Sequence, residues 1–237
     1  MNRCLILLGV LASAPALSDE RPPSAGHRLP LPSSAPGGPA ISPGAAYLNT
    51  LSRGAREALL RDGQVILDAS SKGSGPTMVK AVARFARPRD EVYALITQPH
   101  EQHRYLPHVK VSRPIGERTK EGEREDFEVS FLFTFKYRSQ HWYYPEEDRV
   151  EWVLDPSGGD GLKEQVGYWQ LYELDEHTTV AEYGTHIRVR GAFLDFIRGL
   201  GERGTINEAL TAFRRHVDTA PLPTPAASGP AVGGPGP

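Results

Sequence analysis

The side chains whose types best suit proton-transfer chemistry are His141, Glu182, His186 and Arg188, all in strand-like runs. Such a group works only when it is aimed into a cavity and its pKa is tuned to the task. Glu182, His186 and Arg188 share parity with Val180 and Gly184, so a strand turns all three to one face. The favoured reading of that face is a solvated surface with cross-strand ion pairs. His100, His103 and His108 raise the question of a metal, since His100 and His103 can share a helix face. The string His100-Glu101-Gln102-His103 lacks the four-residue spacing of the His-Glu-x-x-His zinc motif, so surface or capping histidines are expected and no metal site is assigned. Gly199, Gly201 and Gly204 do not make a phosphate loop, because no strand precedes them and no Lys-Ser/Thr follows. They are read as a kink, serving either a gate or a tight crossing over a sheet. No residue is assigned a catalytic role, and no cofactor is expected.

Binding chemistry has the stronger pattern. Phe127, Val129, Phe131, Phe133, Phe135 and Tyr137 occupy every second position. A strand repeats every two residues, so one continuous strand here presents an aromatic wall on one face of a sheet, which a helix could not do. Such a wall faces either a packed helix or an apolar molecule. Trp152, Tyr168, Trp169 and Tyr183 lie in neighbouring strand-like runs and extend it. A buried Tyr or Trp needs a partner for its polar tip, which a ligand carbonyl or hydroxyl can supply.

The elements that must hold these residues are legible in turn. One helix is expected over Tyr47 to Arg61, ended by Asp62-Gly63, then a strand at Gln64 to Ala69 and another at Val79 to Phe85. Pro88, Asp90 and Glu91 open a helix through Ile96, and a short one covers His100 to Tyr105 before Pro107. Strands are expected at Val109 to Glu117, along the aromatic ladder, and at Arg138 to Tyr144, Arg149 to Leu154, Lys163 to Leu174 and Thr178 to Val189. Closely spaced turn signals make this an antiparallel meander. Leu194, Ile197 and Leu200, then Ile206, Leu210, Phe213 and Val217, form one stripe of a long closing helix. The order is an α+β grip, a curved antiparallel sheet around its last helix.

The ends differ in composition. Met1 to Ser18 reads as a secretory signal peptide, with Arg3, an apolar run from Cys4 to Leu11, and Ala16 and Ser18 before a cut at Asp19. That run is well short of the roughly 20 residues that span a bilayer. A periplasmic or secreted location without stable membrane insertion is therefore expected. Cys4 is the single cysteine, so the mature chain would carry no thiol or disulfide chemistry. Residues 19–45 and 220–237 are rich in Pro, Ser, Gly and Ala and are expected to be a disordered linker and tail, leaving a folded domain at 46–219. A formal net charge of −2 offers no electrostatic reason for a nucleic-acid partner.

Several strings resemble the START-like superfamily, also called SRPBCC, and within it the polyketide cyclase and coenzyme-Q-binding subgroup. They are Phe85-Ala86-Arg87-Pro88-Arg89-Asp90-Glu91-Val92-Tyr93, Tyr105-Leu106-Pro107, Gly167-Tyr168-Trp169-Gln170-Leu171, and a closing helix ending near Arg214-Arg215. The match covers about Met78 to Val217, within a core at 77–218, and the leader from Leu51 to Leu67 looks like the extension of exported bacterial relatives. The resemblance implies a helix-grip fold with an apolar cavity between the concave sheet and the last helix. The cavity is then expected to involve Phe131, Phe133, Phe135, Tyr137, Trp152, Trp169, Tyr183, Leu210 and Phe213, under a lid at Tyr105 and Leu106. The expected function is non-covalent binding of a hydrophobic small molecule, a lipid, quinone or polyketide-like compound. A cyclase-type enzyme and a protein-interaction module with a collapsed cavity are the alternatives.

Overall fold

The computed structural model describes residues 41–71, 77–130, 134–159, 161–189 and 203–223. The single helix expected over Tyr47 to Arg61 is two: α1 (Pro43–Thr50) and α2 (Arg53–Asp62). Leu51 is extended, and Ser52 restarts the helix by accepting a hydrogen bond from the Ala55 amide at 3.2 Å. An N-cap hydroxyl of this kind satisfies one of the amides a new helix leaves unpaired. Ser42 caps α1 from the Ala45 amide and donates to the Leu174 carbonyl at 2.7 Å, so α1 begins inside the stretch read as linker. Gly63 ends α2 with φ of 74°, in the left-handed region that a C-terminal glycine takes easily.

The remaining elements are β1 (Gln64–Ser71), β2 (Thr77–Phe85), α3 (Arg89–Ile96), a 3-10 turn (Pro99–Glu101) running into α4 (Gln102–Tyr105), then β3 (Val109–Ile115), β4 (Gly122–Ser130), β5 (Thr134–Tyr144), β6 (Arg149–Asp155), β7 (Leu162–Asp175), β8 (Thr178–Val189) and α5 (Arg203–Thr219). The eight strands form one antiparallel sheet in the order β1-β2-β8-β7-β6-β5-β4-β3. Pro114 lies in β3, an edge strand, where its missing N–H costs no ladder bond. The register shifts in the β1–β2, β3–β4 and β7–β8 pairs, and bulges of this kind bend a sheet. The first half of the expected closing helix, including Leu194, Gly199 and Gly201, lies outside the described residues.

The aromatic ladder is not one strand. It folds back on itself as a hairpin, with Val129 opposite Phe135 and Phe127 opposite Tyr137. Phe131 and Phe133 fall between the two arms and lie outside the described residues. Paired positions in this register have the same parity, so both arms still turn their apolar residues to one face. The second arm does not stop at Tyr137 but continues to Tyr144, absorbing the strand expected at Arg138.

Each face of the sheet carries its own core. On the concave face Phe85, Val92, Leu95, Leu171, Leu210, Phe213 and Val217 pack between the sheet, α3 and α5. On the convex face Tyr47, Leu48 and Leu59 of the two leading helices cover Val82, Tyr172 and Val180. Tyr47 stacks on Tyr172 with centroids 4.4 Å apart and planes at 12°. Gln64 ties β1 to α5 through its amide, which donates to Asn207 Oδ1 at 2.7 Å and Thr211 Oγ1 at 2.8 Å. Among the described residues no helix is long and apolar enough to cross a membrane.

Candidate functional site

Part of the concave face is not filled. Between the β4–β5 hairpin, the central strands and α5 lies a cavity of about 310 Å³. One wall comes from the two hairpin arms, with Phe127, Val129, Phe135 and Tyr137 facing inward. Phe127 and Tyr137 stack at 5.1 Å, and Phe135 meets Tyr137 at 6.0 Å. The floor is Trp152, Trp169 and Tyr183 from β6, β7 and β8. Tyr183 lies between the two indoles, 5.7 Å from Trp152 and 4.8 Å from Trp169. The roof is α5, through Ile206, Leu210 and Phe213, whose ring stacks on Trp169 at 5.0 Å and 13°.

Gly167 explains how the Trp152 indole fits over β7. It pairs with Trp152, and a Cβ there would lie 2.2 Å from Trp152 Cζ2. Without a side chain on β7, the indole lies flat over the backbone. The Gly167-Tyr168-Trp169 string therefore does packing work: the glycine seats one tryptophan and the next inward position supplies the other.

The two residues expected as a lid part company. Leu106 lines the cavity, beside Pro107 and His108. Tyr105 does not line it. Its ring stacks on His216 at 4.0 Å and meets Phe213 edge-on at 5.8 Å, clamping α4 to α5. Burial raises the Tyr105 hydroxyl pKa well above its ordinary value. The sequence string placed both residues together, but a one-residue step from helix to extended backbone at Leu106 sends them to different neighbours.

Polar groups interrupt the apolar wall; Tyr137 was expected in the cavity, whereas Ser139 and Gln165 were not. Ser139 donates to Gln165 Oε1 at 2.8 Å, and Gln165 hydrogen-bonds the Tyr137 hydroxyl. Burial is the largest influence on Tyr137 and raises its pKa. His141 lies in the same wall between Phe127 and Trp152, each ring centroid 6.2 Å away. Its Nε2 is buried with no hydrogen-bond partner, and desolvation lowers its pKa to about 3, so it is neutral at pH 7. The available signal was parity: Ser139 and His141 continue the alternation of Phe135 and Tyr137 once the strand is not broken at Arg138.

Glu182, His186 and Arg188 do share the convex face, but that face is not uniformly solvated. His186 and Arg188 approach Glu164 across the β7–β8 pair, at 3.6 and 3.4 Å. Glu182 is only 8% exposed and sits beneath α1. It accepts from Tyr47 at 2.6 Å and Tyr168 at 2.5 Å and pairs with Lys80 at 3.0 Å. The leading helices turned a surface carboxylate into a buried anchor. His100 and His103 interact locally, His100 with Glu101 at 3.5 Å and His103 Nδ1 with the His100 carbonyl at 2.7 Å. Among the described residues no group of three or more His, Cys, Asp or Glu is placed to hold a metal.

No family model and no curated protein matches the chain. Solved structures do. A protein of Thermus thermophilus superposes with a TM-score of 0.51 at 16% identity, over 59% of this chain and 96% of its own. The Zhui aromatase/cyclase from Streptomyces sp. R1128 gives 0.52 at 12% identity, over 60% and 93%. A START superfamily protein from Mycobacterium smegmatis gives 0.50 at 16%, over 59% and 96%. Identities this low speak to architecture alone. Together with the curved sheet closed by its C-terminal helix, they show that this chain has the START-like α+β helix-grip fold.

Proposed function

We propose that the protein binds one hydrophobic small molecule non-covalently between the concave sheet and α5. The observation that carries this reading is the cavity itself, about 310 Å³ lined mainly by aromatic and aliphatic side chains in an otherwise packed grip. Its size falls at the lower end of the roughly 300–1,000 Å³ usual for small-molecule sites. Leaving such a space unfilled forfeits on the order of several kcal/mol of packing. An occupant that brings apolar surface out of water restores that term. The superposition on a START superfamily protein supports the same reading by analogy of fold. The interaction-module alternative needs a collapsed cavity and a contiguous outer apolar patch.

The test is to purify the protein in the form its native cells hold and extract it for mass spectrometry. A single stoichiometric apolar species is the expected result. An empty protein that also fails to take up quinone and polycyclic probes overturns the reading. Export is part of the proposal and rests on Met1 to Ser18 alone. N-terminal sequencing of the same material should begin at Asp19, and a retained Met1 counts against it.

A second reading, an enzyme of the cyclase type, has one specific observation in its favour: a neutral histidine without a hydrogen-bond partner at Nε2 in the cavity wall. Under it, His141→Gln loses turnover of a bound polyketide-like substrate while keeping its binding. Equal turnover by both proteins would dismiss His141 as the acid–base group.

A further inference from the structure

The cavity is polar in one particular way. Among the described residues that line it there is no Lys, Arg, Asp or Glu. Its hydrogen-bonding side chains carry hydroxyls, two amides, imidazoles and the indole N–H groups of Trp152 and Trp169. Gln165 accepts the Ser139 proton on its carbonyl oxygen at 2.8 Å, and its side chain lowers the Tyr137 pKa, as an amide N–H donated to the phenol oxygen does. With its oxygen accepting, the hydroxyl proton of this cavity-lining tyrosine is left to meet a ligand. That proton is held by a relay on β5 and β7, not by a mobile surface side chain. His141, four residues along the same strand face, is nearly fully buried and uncharged at neutral pH, and its Nε2 has no hydrogen-bond partner.

A carboxylate entering this space would lose its hydration and meet no cation among the described residues, a cost that one or two neutral donors do not offset. A ketone, quinone or similar carbonyl loses far less on entry and gains the Tyr137 donor. We infer that the cavity selects an uncharged ligand, an apolar body carrying a carbonyl acceptor for Tyr137, and discriminates against carboxylates such as fatty-acid anions. This rests on the reading above that the cavity is a binding site, and it narrows the ligand class.

A matched series tests it: acetylnaphthalene, ethylnaphthalene and naphthoate, one ring system bearing a ketone, an alkyl group or a carboxylate. Each is titrated into the full-length chain at about pH 8, above the ordinary histidine pKa, with binding read by calorimetry. The ketone should bind about three- to tenfold more tightly than the hydrocarbon, the yield of one hydrogen bond. Naphthoate should be weaker than the ketone by about a hundredfold or more. Tyr137→Phe should bring the ketone-to-hydrocarbon ratio close to one. Naphthoate binding as tightly as the ketone, or an unchanged ratio in Tyr137→Phe, overturns the inference while leaving the cavity as a binding site. Failure of all three probes overturns the binding-site reading and the inference with it. The wild-type ranking needs no variant, so the test stands even if Tyr137→Phe does not fold.

Discussion

His141 and Glu125 are buried ionisable groups on the concave face, and their pKa shifts oppose each other. Desolvation lowers His141 to about 3. The unfolded chain therefore binds a proton below about pH 6.5 that the folded chain refuses, and stability falls as pH drops from there toward 3, by about 1.4 kcal/mol per unit. His141→Gln should flatten that part of a urea-denaturation profile, and an unchanged slope would show that another group carries the loss. Glu125 is fully buried opposite Ser139 and accepts from Ser112 at 3.1 Å, while its Oε2 has no partner. Burial raises it to about 8 from 4.5. Here the folded chain holds the extra proton, so stability is lost as pH rises through that window. Glu125→Gln should gain on wild type steadily from pH 5 to pH 8, and a constant difference would refute the assignment. At Gly167 the issue is space. Gly167→Ala puts a methyl group against Trp152 and should cost about 1–3 kcal/mol through overpacking, while weakening probe binding because the displaced indole enters the cavity.

At the scale of elements, the hairpin and the two leading helices shape the site from opposite sides. The β4–β5 hairpin doubles the aromatic wall, because the fold-back keeps Phe127 and Tyr137 on the same face. The α1–α2 pair stiffens the convex side of β2 and β8, behind the cavity floor. Its anchor is the Tyr47–Glu182 hydrogen bond at 2.6 Å. Tyr47→Phe leaves a buried carboxylate one donor short and should cost about 1–3 kcal/mol, a fall of roughly 2–4 °C in Tm per kcal/mol. A Tm within a degree of wild type would mean that Tyr168 and Lys80 suffice to hold Glu182. The clamp of Tyr105 on His216 means that α4 and α5 move together if either moves.

At the scale of the whole molecule, an incompletely filled grip couples stability to occupancy. A ligand that binds only the folded state at a hundred times its Kd adds about 2.7 kcal/mol. Thermal unfolding of delipidated protein should therefore rise by several degrees on adding a neutral apolar carbonyl compound. Trp152 and Trp169 should report the same event as a change in fluorescence, since both line the cavity. A melting curve indifferent to every such compound would argue that the space is not used.

The sequence by itself determined the periodicities. Alternation assigned residues to strand faces, proline and acids marked the start of α3, and the stripe from Ile206 to Val217 marked α5, because these patterns reflect burial along a single element. Order along the chain then implied the grip. What alternation does not encode is where a strand turns back. Phe127 to Tyr137 reads the same as one long strand or as a hairpin, since a same-parity fold-back leaves the pattern intact. Only the tertiary structure decided that Leu51 breaks a helix, that Glu182 is buried under Tyr47, and that Tyr105 serves α5 while Leu106 serves the cavity. The polar character of the cavity was equally a matter of three dimensions. Tyr137, Ser139, His141 and Gln165 become one site only when β7 brings Gln165 within reach of β5, and contacts between strands depend on topology rather than on any local spacing.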